Sequence, residues 1–110
     1  MASFINKIER TAIAYAALLI IQPHAKIETD EVADVLENLM DYFEISRNLL
    51  IEADRMNADE LKYVLGKIDP GLAKEVKFCL KNLVDSSANL FYYPEKGTYE
   101  NICSLMNVEP

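Results

Sequence analysis

Carboxylates crowd one short stretch of the sequence, and their spacing could serve either a cation or a basic partner. Glu28, Asp30, Glu31 and Asp34 fall within two helical turns. Calcium and magnesium are held mainly by carboxylate and carbonyl oxygens. However, the alternating-aspartate loop with a distal glutamate that marks a calcium-binding loop is absent. The alternative is a solvated first helical turn, where negative charge suits the helix dipole. We therefore expect no metal, and we take Glu28, Asp30 and Glu31 as the weak candidate ligands.

Aromatic residues concentrate in a second short stretch, residues 90–97, which reads LFYYPEKG. One interpretation is that Phe91 and one tyrosine fill the end of a helical bundle. The other is that Tyr92 and Tyr93 are exposed anchors for a partner, because tyrosine buries a large area at small entropic cost and keeps a polar tip. We predict a partner-binding set with two parts: Phe91, Tyr92, Tyr93 and Glu95 in this segment, and Asp30, Glu31 and Asp34 in the acidic stretch.

No residue pattern in the chain is typical of an enzyme. His24 is the single histidine and has no evident catalytic partner. A nucleophile elbow and a glycine-rich phosphate loop are both absent from the sequence. Cys79 and Cys103 lack metal-ligand spacing and lie on apolar helical stripes, where they are best interpreted as small buried hydrophobic residues. We predict a protein without catalytic residues or cofactor.

The net charge of -7 is concentrated in one part of the chain. Residues 23–56 hold nine acidic and three basic side chains. Such a surface repels nucleic-acid phosphates, since that binding depends on lysine and arginine releasing counterions. It can steer a basic protein instead. We expect a protein partner with a basic surface, and no direct contact with nucleic acid.

Helical periodicity accounts for most of the sequence, and no strand alternation appears. The predicted helices run from a Ser3 cap to about Gln22, from Thr29 or Asp30 through Phe43, from a Ser46 cap to Met56, from an Asn57 capping box through Ile68, from Asp69-Pro70 to near Ser86, and through Ile102 to Met106. Residues 86–98 are predicted to be irregular. The apolar stripe of the first helix includes Ile5, Ile8, Ala12, Ala16, Leu19 and Ile20.

These elements predict one all-α domain over residues 1–110, a compact bundle of five to six helices in which consecutive helices pack antiparallel. The longest apolar run, residues 11–21, is about half of what a bilayer span needs, and no signal cleavage site follows it. We therefore expect a cytoplasmic protein that does not bind membranes. Helical bundles often dimerise, so a homodimer stays open, although no heptad seam indicates a coiled coil.

The order of elements resembles the TerB-like family, helical domains associated with tellurite resistance. The first turn reads PHAKIETDE over residues 23–31 and the second reads SANLFYYPE over residues 87–95. Ile27 and Glu31 match the family's turn motif. The resemblance implies two similar halves and an acidic, metal-binding turn surface. His24 and Ala88 stand where that motif has aspartates, so we carry over the fold and not the metal.

A shorter resemblance links residues 90–97 to the immunity proteins of nuclease colicins, acidic helical inhibitors whose paired tyrosines anchor the toxin. It covers about a dozen residues and implies contact roles for Tyr92 and Tyr93. Two hypotheses follow. The first is a non-enzymatic TerB-like module that binds a protein in a bacterial stress or defence system. The alternative is an acidic inhibitor of a nuclease, an immunity protein or a nucleic-acid mimic encoded by the host or a phage.

Overall fold

The computed structural model describes residues 5–21, 30–88 and 94–110, and only the backbone at 30–32, 86–88 and 94–96. These residues form six helices and no strand: α1 (Lys7–Ile21), α2 (Asp30–Phe43), α3 (Arg47–Ala53), α4 (Ala58–Leu65), α5 (Pro70–Ala88) and α6 (Pro94–Leu105). The radius of gyration is 12.6 Å, as expected for one compact domain of this length. The prediction of an all-α bundle of five to six helices is confirmed.

α1 is the central helix, and it packs against α3, α4, α5 and α6. Six of its side chains are fully buried: Ala12, Ile13, Ala14, Ala16, Ala17 and Ile20. Four of these are alanines, whose small side chains allow neighbouring helices to approach closely. α1 can therefore pack against four neighbouring helices at once.

Helices adjacent in sequence pack chiefly on other helices, which differs from the predicted antiparallel pairing. α2 packs mainly on α5, while the short α3 and α4 pack on α1. α3 and α4 have 7 and 8 residues. Helices of two turns cannot bury a long shared face, so each places its apolar stripe against the longer central helix.

Local capping sets the starts of three helices where the sequence predicted them. The Ser46 side chain accepts a hydrogen bond from the backbone N–H of Leu49. Asn57 and Glu60 form both hydrogen bonds of a capping box. The Asp69 carboxylate accepts from the N–H groups of Gly71 and Leu72, ahead of a helix that begins at Pro70. Each cap satisfies backbone donors that have no partner inside the helix.

The first helix begins later than predicted. Ser3 lies outside the described residues, and α1 begins at Lys7 behind a capping box formed by Asn6 and Glu9. The placement of Ile8 on the buried stripe is also wrong, because its side chain is 61% exposed. The buried face of α1 is centred on Ile13 and Ile20, which turns Ile8 outward.

Two other boundaries differ from the prediction. α3 ends at Ala53 rather than Met56, because i→i+3 turns over residues 54–56 bring Asn57 into the extended conformation that a cap requires. In the stretch predicted to be irregular, 86–98, the described residues are helical: α5 continues to Ala88 and α6 begins at Pro94. Proline suits the first helical position because its missing N–H would have no partner there.

The end of α2 is tied to α1 by a single arginine. Glu44 adopts a left-handed backbone (φ 56°), and the N–H of Ile45 donates to the Met40 carbonyl, which closes the helix. Arg10 on α1 donates through Nε to the Phe43 carbonyl at 3.0 Å and lies 3.6 Å from the Glu44 carboxylate. Since those carbonyls lack helical partners and carry partial negative charge, a cation suits this helix end.

No helix in the described part of the chain combines the length and hydropathy that crossing a bilayer requires.

Candidate protein-binding groove

An open groove of about 620 Å³ lies between α2 and α5. Its α2 wall consists of residues that repeat at helical spacing: Val35, Asn38, Leu39 and Tyr42. The residues of its α5 wall also repeat at helical spacing: Lys74, Glu75, Phe78, Cys79, Asn82 and Asp85. The lining combines apolar side chains with two amides and a few charges. This is the usual composition of a surface that binds another molecule.

Phe78 is the most exposed large apolar side chain of the groove, at 67% of its surface. A side chain that buried its ring in the core would stabilise the fold, so an aromatic ring left in water is a candidate contact for a partner. Val35 and Cys79 beside it are half-buried and continue the apolar surface inward.

A hydrogen bond between α2 and α5 forms one part of the groove wall. The Tyr42 hydroxyl donates to the Glu75 carboxylate. This hydrogen bond is the main cause that raises the pKa of Tyr42, and burial and the negative charge of Glu75 act in the same direction. Tyr42 also meets Phe43 edge-on, with ring centroids 5.0 Å apart. The hydrogen bond between Tyr42 and Glu75 joins α2 to α5 at this point of the groove.

Three exposed carboxylates lie on the solvent-facing side of α2 next to this groove: Asp34, Glu37 and Asp41. We call them the α2 acidic row. Each precedes a groove residue by one position. None of the three forms an ion pair with the described residues, whereas Glu44 pairs with Arg10 and Glu52 with Lys7. The row therefore carries negative charge that no ion pair with the described residues neutralises.

Cys79 is the one thiol that lines the groove, and its surroundings keep it protonated. Burial, and then the charge of Glu75, raise its pKa to about 11. The thiolate is the reactive form of cysteine, so at neutral pH this thiol is a poor nucleophile. Cys79 therefore supplies little thiolate to the groove at neutral pH.

We expect the native protein to react slowly with a disulfide reagent at pH 8, since a thiol of pKa about 11 is ionised in about one molecule per thousand there. The rate should rise about tenfold per pH unit toward pH 11 as thiolate forms. Stopped-flow absorbance measures it, and Cys79→Ala should abolish the reaction because Cys103 is fully buried. Reaction at pH 7 as fast as that of a small-molecule thiol would show that the pKa is not raised.

Of the predicted site residues, the structure describes the side chain of Asp34 alone, which is exposed in the α2 acidic row. Asp30, Glu31 and Glu95 lie in helices, but their side chains are outside the description. Four further predicted residues lie wholly outside the described ranges: Glu28, Phe91, Tyr92 and Tyr93. Across the described ranges no three histidine, cysteine or acidic side chains cluster as metal ligands.

Sequence reasoning missed the groove itself. One residue could have indicated it: Phe78, an aromatic residue that lies outside the apolar stripe of α5. Asn38 and Asn82 gave no such signal, because amides on exposed helix faces are common.

A second apolar surface lies between α1 and α4, where a groove of about 650 Å³ is bordered by Ile8 and Tyr63. Tyr63 is 64% exposed. Lys67 lies over its ring, 4.3 Å from the centroid, and its Nζ donates to the Tyr63 hydroxyl at 2.9 Å. That hydrogen bond and the lysine charge lower the pKa of Tyr63. A side chain of this protein already occupies the face of the ring, so this surface is a weaker candidate.

The interior also holds a polar pair that neither groove reaches. The Tyr99 hydroxyl is buried beside the Cys103 thiol. Burial raises its pKa first, and the neighbouring Cys103 thiol raises it further. Both side chains belong to the core, so we assign them no binding role.

Comparison with known proteins gives no relative: no family model, no curated protein and no solved structure matches this chain.

Proposed function

We propose that this chain is a non-enzymatic helical module that binds another protein through α2 and the groove beside it. The observation that carries the proposal is the α2 acidic row, three exposed carboxylates without ion-pair partners among the described residues, beside an apolar groove with an exposed Phe78. Unneutralised charge adjoining exposed apolar surface is what a partner of opposite charge would complement.

The sequence resemblance suggests the biological setting. A TerB-like module would act in a bacterial stress or defence system. Support for the fold part of this resemblance is general: the chain is an all-α bundle of the expected helix number. The proposed contact surface keeps Asp34 from the sequence prediction and adds Glu37, Asp41 and the groove.

The second candidate is an acidic inhibitor that occupies the basic cleft of a nuclease. The same unpaired row favours it, since carboxylates held in a line on a helix can replace phosphates. The two candidates differ in what else they need. An inhibitor that mimics nucleic acid binds mainly through charge and so loses most affinity in salt, whereas groove binding keeps an apolar contribution.

Affinity capture with the immobilised protein tests the proposal. The row variant, Asp34→Asn with Glu37→Gln and Asp41→Asn, removes three charges from the α2 acidic row without shortening any side chain. We expect the wild type to retain one stoichiometric protein with a basic surface, and the row variant to retain at least about tenfold less.

A matched control removes the same charge elsewhere, at exposed positions: Asp54→Asn with Glu100→Gln and Glu109→Gln. This control should capture the partner as the wild type does. Equal loss in both variants would show that only net charge matters. Absence of any retained protein from a bait with an intact helical circular-dichroism spectrum would overturn the proposed function.

A further inference from the structure

The groove between α2 and α5 is as long as a short helix. Its walls run from Val35 to Tyr42 on α2 and from Lys74 to Asp85 on α5. At 1.5 Å rise per residue the longer wall extends roughly 16 Å, about three helical turns. Its lining residues recur every three or four positions, so the groove runs along the helix axes. Amphipathic helices dock into grooves of this kind through residues at the same spacing.

The charge beside the groove favours a cationic occupant. The α2 acidic row lies along one edge, and none of its carboxylates is paired with the described residues. On the α5 wall, Glu75 and Asp85 face a single lysine, Lys74. Arg47 borders a neighbouring pocket together with Glu37 and Asp41, but it forms no ion pair with the row. The α2 edge of the groove is therefore negative, whereas on the α5 side the exposed Lys81 directly precedes Asn82.

The apolar part of the groove favours an occupant with a large side chain. Phe78 exposes 67% of its surface, and Val35 and Leu39 line the wall opposite. An aliphatic or aromatic residue placed against Phe78 would remove apolar area from water on both molecules. Asn38 and Asn82, on the two walls, can hydrogen-bond to polar groups beside that contact.

We propose that the groove binds a basic amphipathic helix of a partner protein. An apolar residue of that helix packs on Phe78, and its lysines or arginines lie along the α2 acidic row. This proposal rests on the proposed function and names the class of its partner. A second copy of this chain is a poorer occupant, because the same face of both copies is acidic and like charges would meet.

A tryptophan-labelled peptide tests the proposal, since the protein has no tryptophan and the peptide signal is free of background. The probe is a synthetic peptide of about 16 residues, with leucines and one tryptophan on one helical face and lysines on the other. We expect saturable one-to-one binding and a blue-shifted tryptophan emission. A peptide of identical composition in scrambled order should bind at least about tenfold more weakly, because its apolar residues share no face.

Single substitutions locate the peptide. Phe78→Ala should weaken binding about tenfold or more, the loss typical of a central aromatic anchor. Tyr63→Ala and Ile51→Ala, at side chains 64% and 65% exposed elsewhere on the surface, should change affinity by less than about twofold. The row variant should weaken binding at low ionic strength, with a smaller effect at about 0.5 M salt.

The outcomes separate the two proposals. Equal binding of the scrambled peptide, or an affinity that Phe78→Ala leaves unchanged, would overturn the helix-in-groove proposal. If the captured partner depends on the α2 acidic row while the amphipathic peptide does not bind, the proposed function stands and this inference fails. If neither partner nor peptide binds, both fail.

Discussion

Phe43→Ala is expected to lower the free energy of unfolding by about 3–5 kcal/mol, the range for a large aromatic residue removed from a packed core. Phe43 lies at the end of α2 and is 1% exposed. Its ring contacts the Tyr42 ring, and its backbone carbonyl accepts a hydrogen bond from Arg10. The cavity left by alanine cannot be filled without moving α2. A domain of this size has a total stability of about 5–15 kcal/mol, so the variant should be marginally folded.

The chain offers a matched control in the same residue type. Phe78→Ala removes the same atoms from a side chain that is 67% exposed, and we expect a change within about 0.5 kcal/mol. Chemical denaturation followed by far-ultraviolet circular dichroism measures both. Similar losses in the two variants would contradict the burial of Phe43 or the exposure of Phe78. An unperturbed Phe78→Ala fold also makes the binding loss expected for that variant interpretable.

Ala16→Leu is expected to destabilise the protein by about 1–3 kcal/mol through overpacking. Ala16 has no exposed surface and lies in the middle of α1, the helix that packs against four others. Its neighbours on the same face include Ala12 and Ile20, also fully buried, so added methyl groups meet packed atoms whichever rotamer they adopt. Helix separation must increase, and this disturbs contacts of several helices together.

Ala33→Leu is the control for that substitution, because Ala33 is an exposed helical residue on α2 and leucine has nearly the same helix propensity as alanine. Thermal unfolding should separate the two variants clearly, with a lower melting temperature for Ala16→Leu alone. A melting temperature equal to that of the wild type would show that α1 is less closely packed than its burial indicates.

The α2 acidic row and the groove beside it illustrate how far the surface could be predicted. The α2 acidic row was partly foreseen, because a carboxylate-rich helix is visible in the sequence, and Asp34 was among the predicted contacts. The sequence did not predict that α2 and α5 would form a groove beside this row. Val35 to Tyr42 and Lys74 to Asp85 lie about forty residues apart in the chain, and no local pattern states which helix α2 packs against.

Helix starts were determined by the sequence alone at Ser46, Asn57 and Asp69, because a cap is a hydrogen bond between residues two or three positions apart. The amphipathic stripes likewise follow from local periodicity, and they predicted an all-helical core. The tertiary structure alone decided that α1 is central, that Ile8 faces outward, and that α2 packs on α5. Those features depend on contacts between distant segments, where several packings of the same stripes satisfy the local rules and only the fit of whole helices selects one.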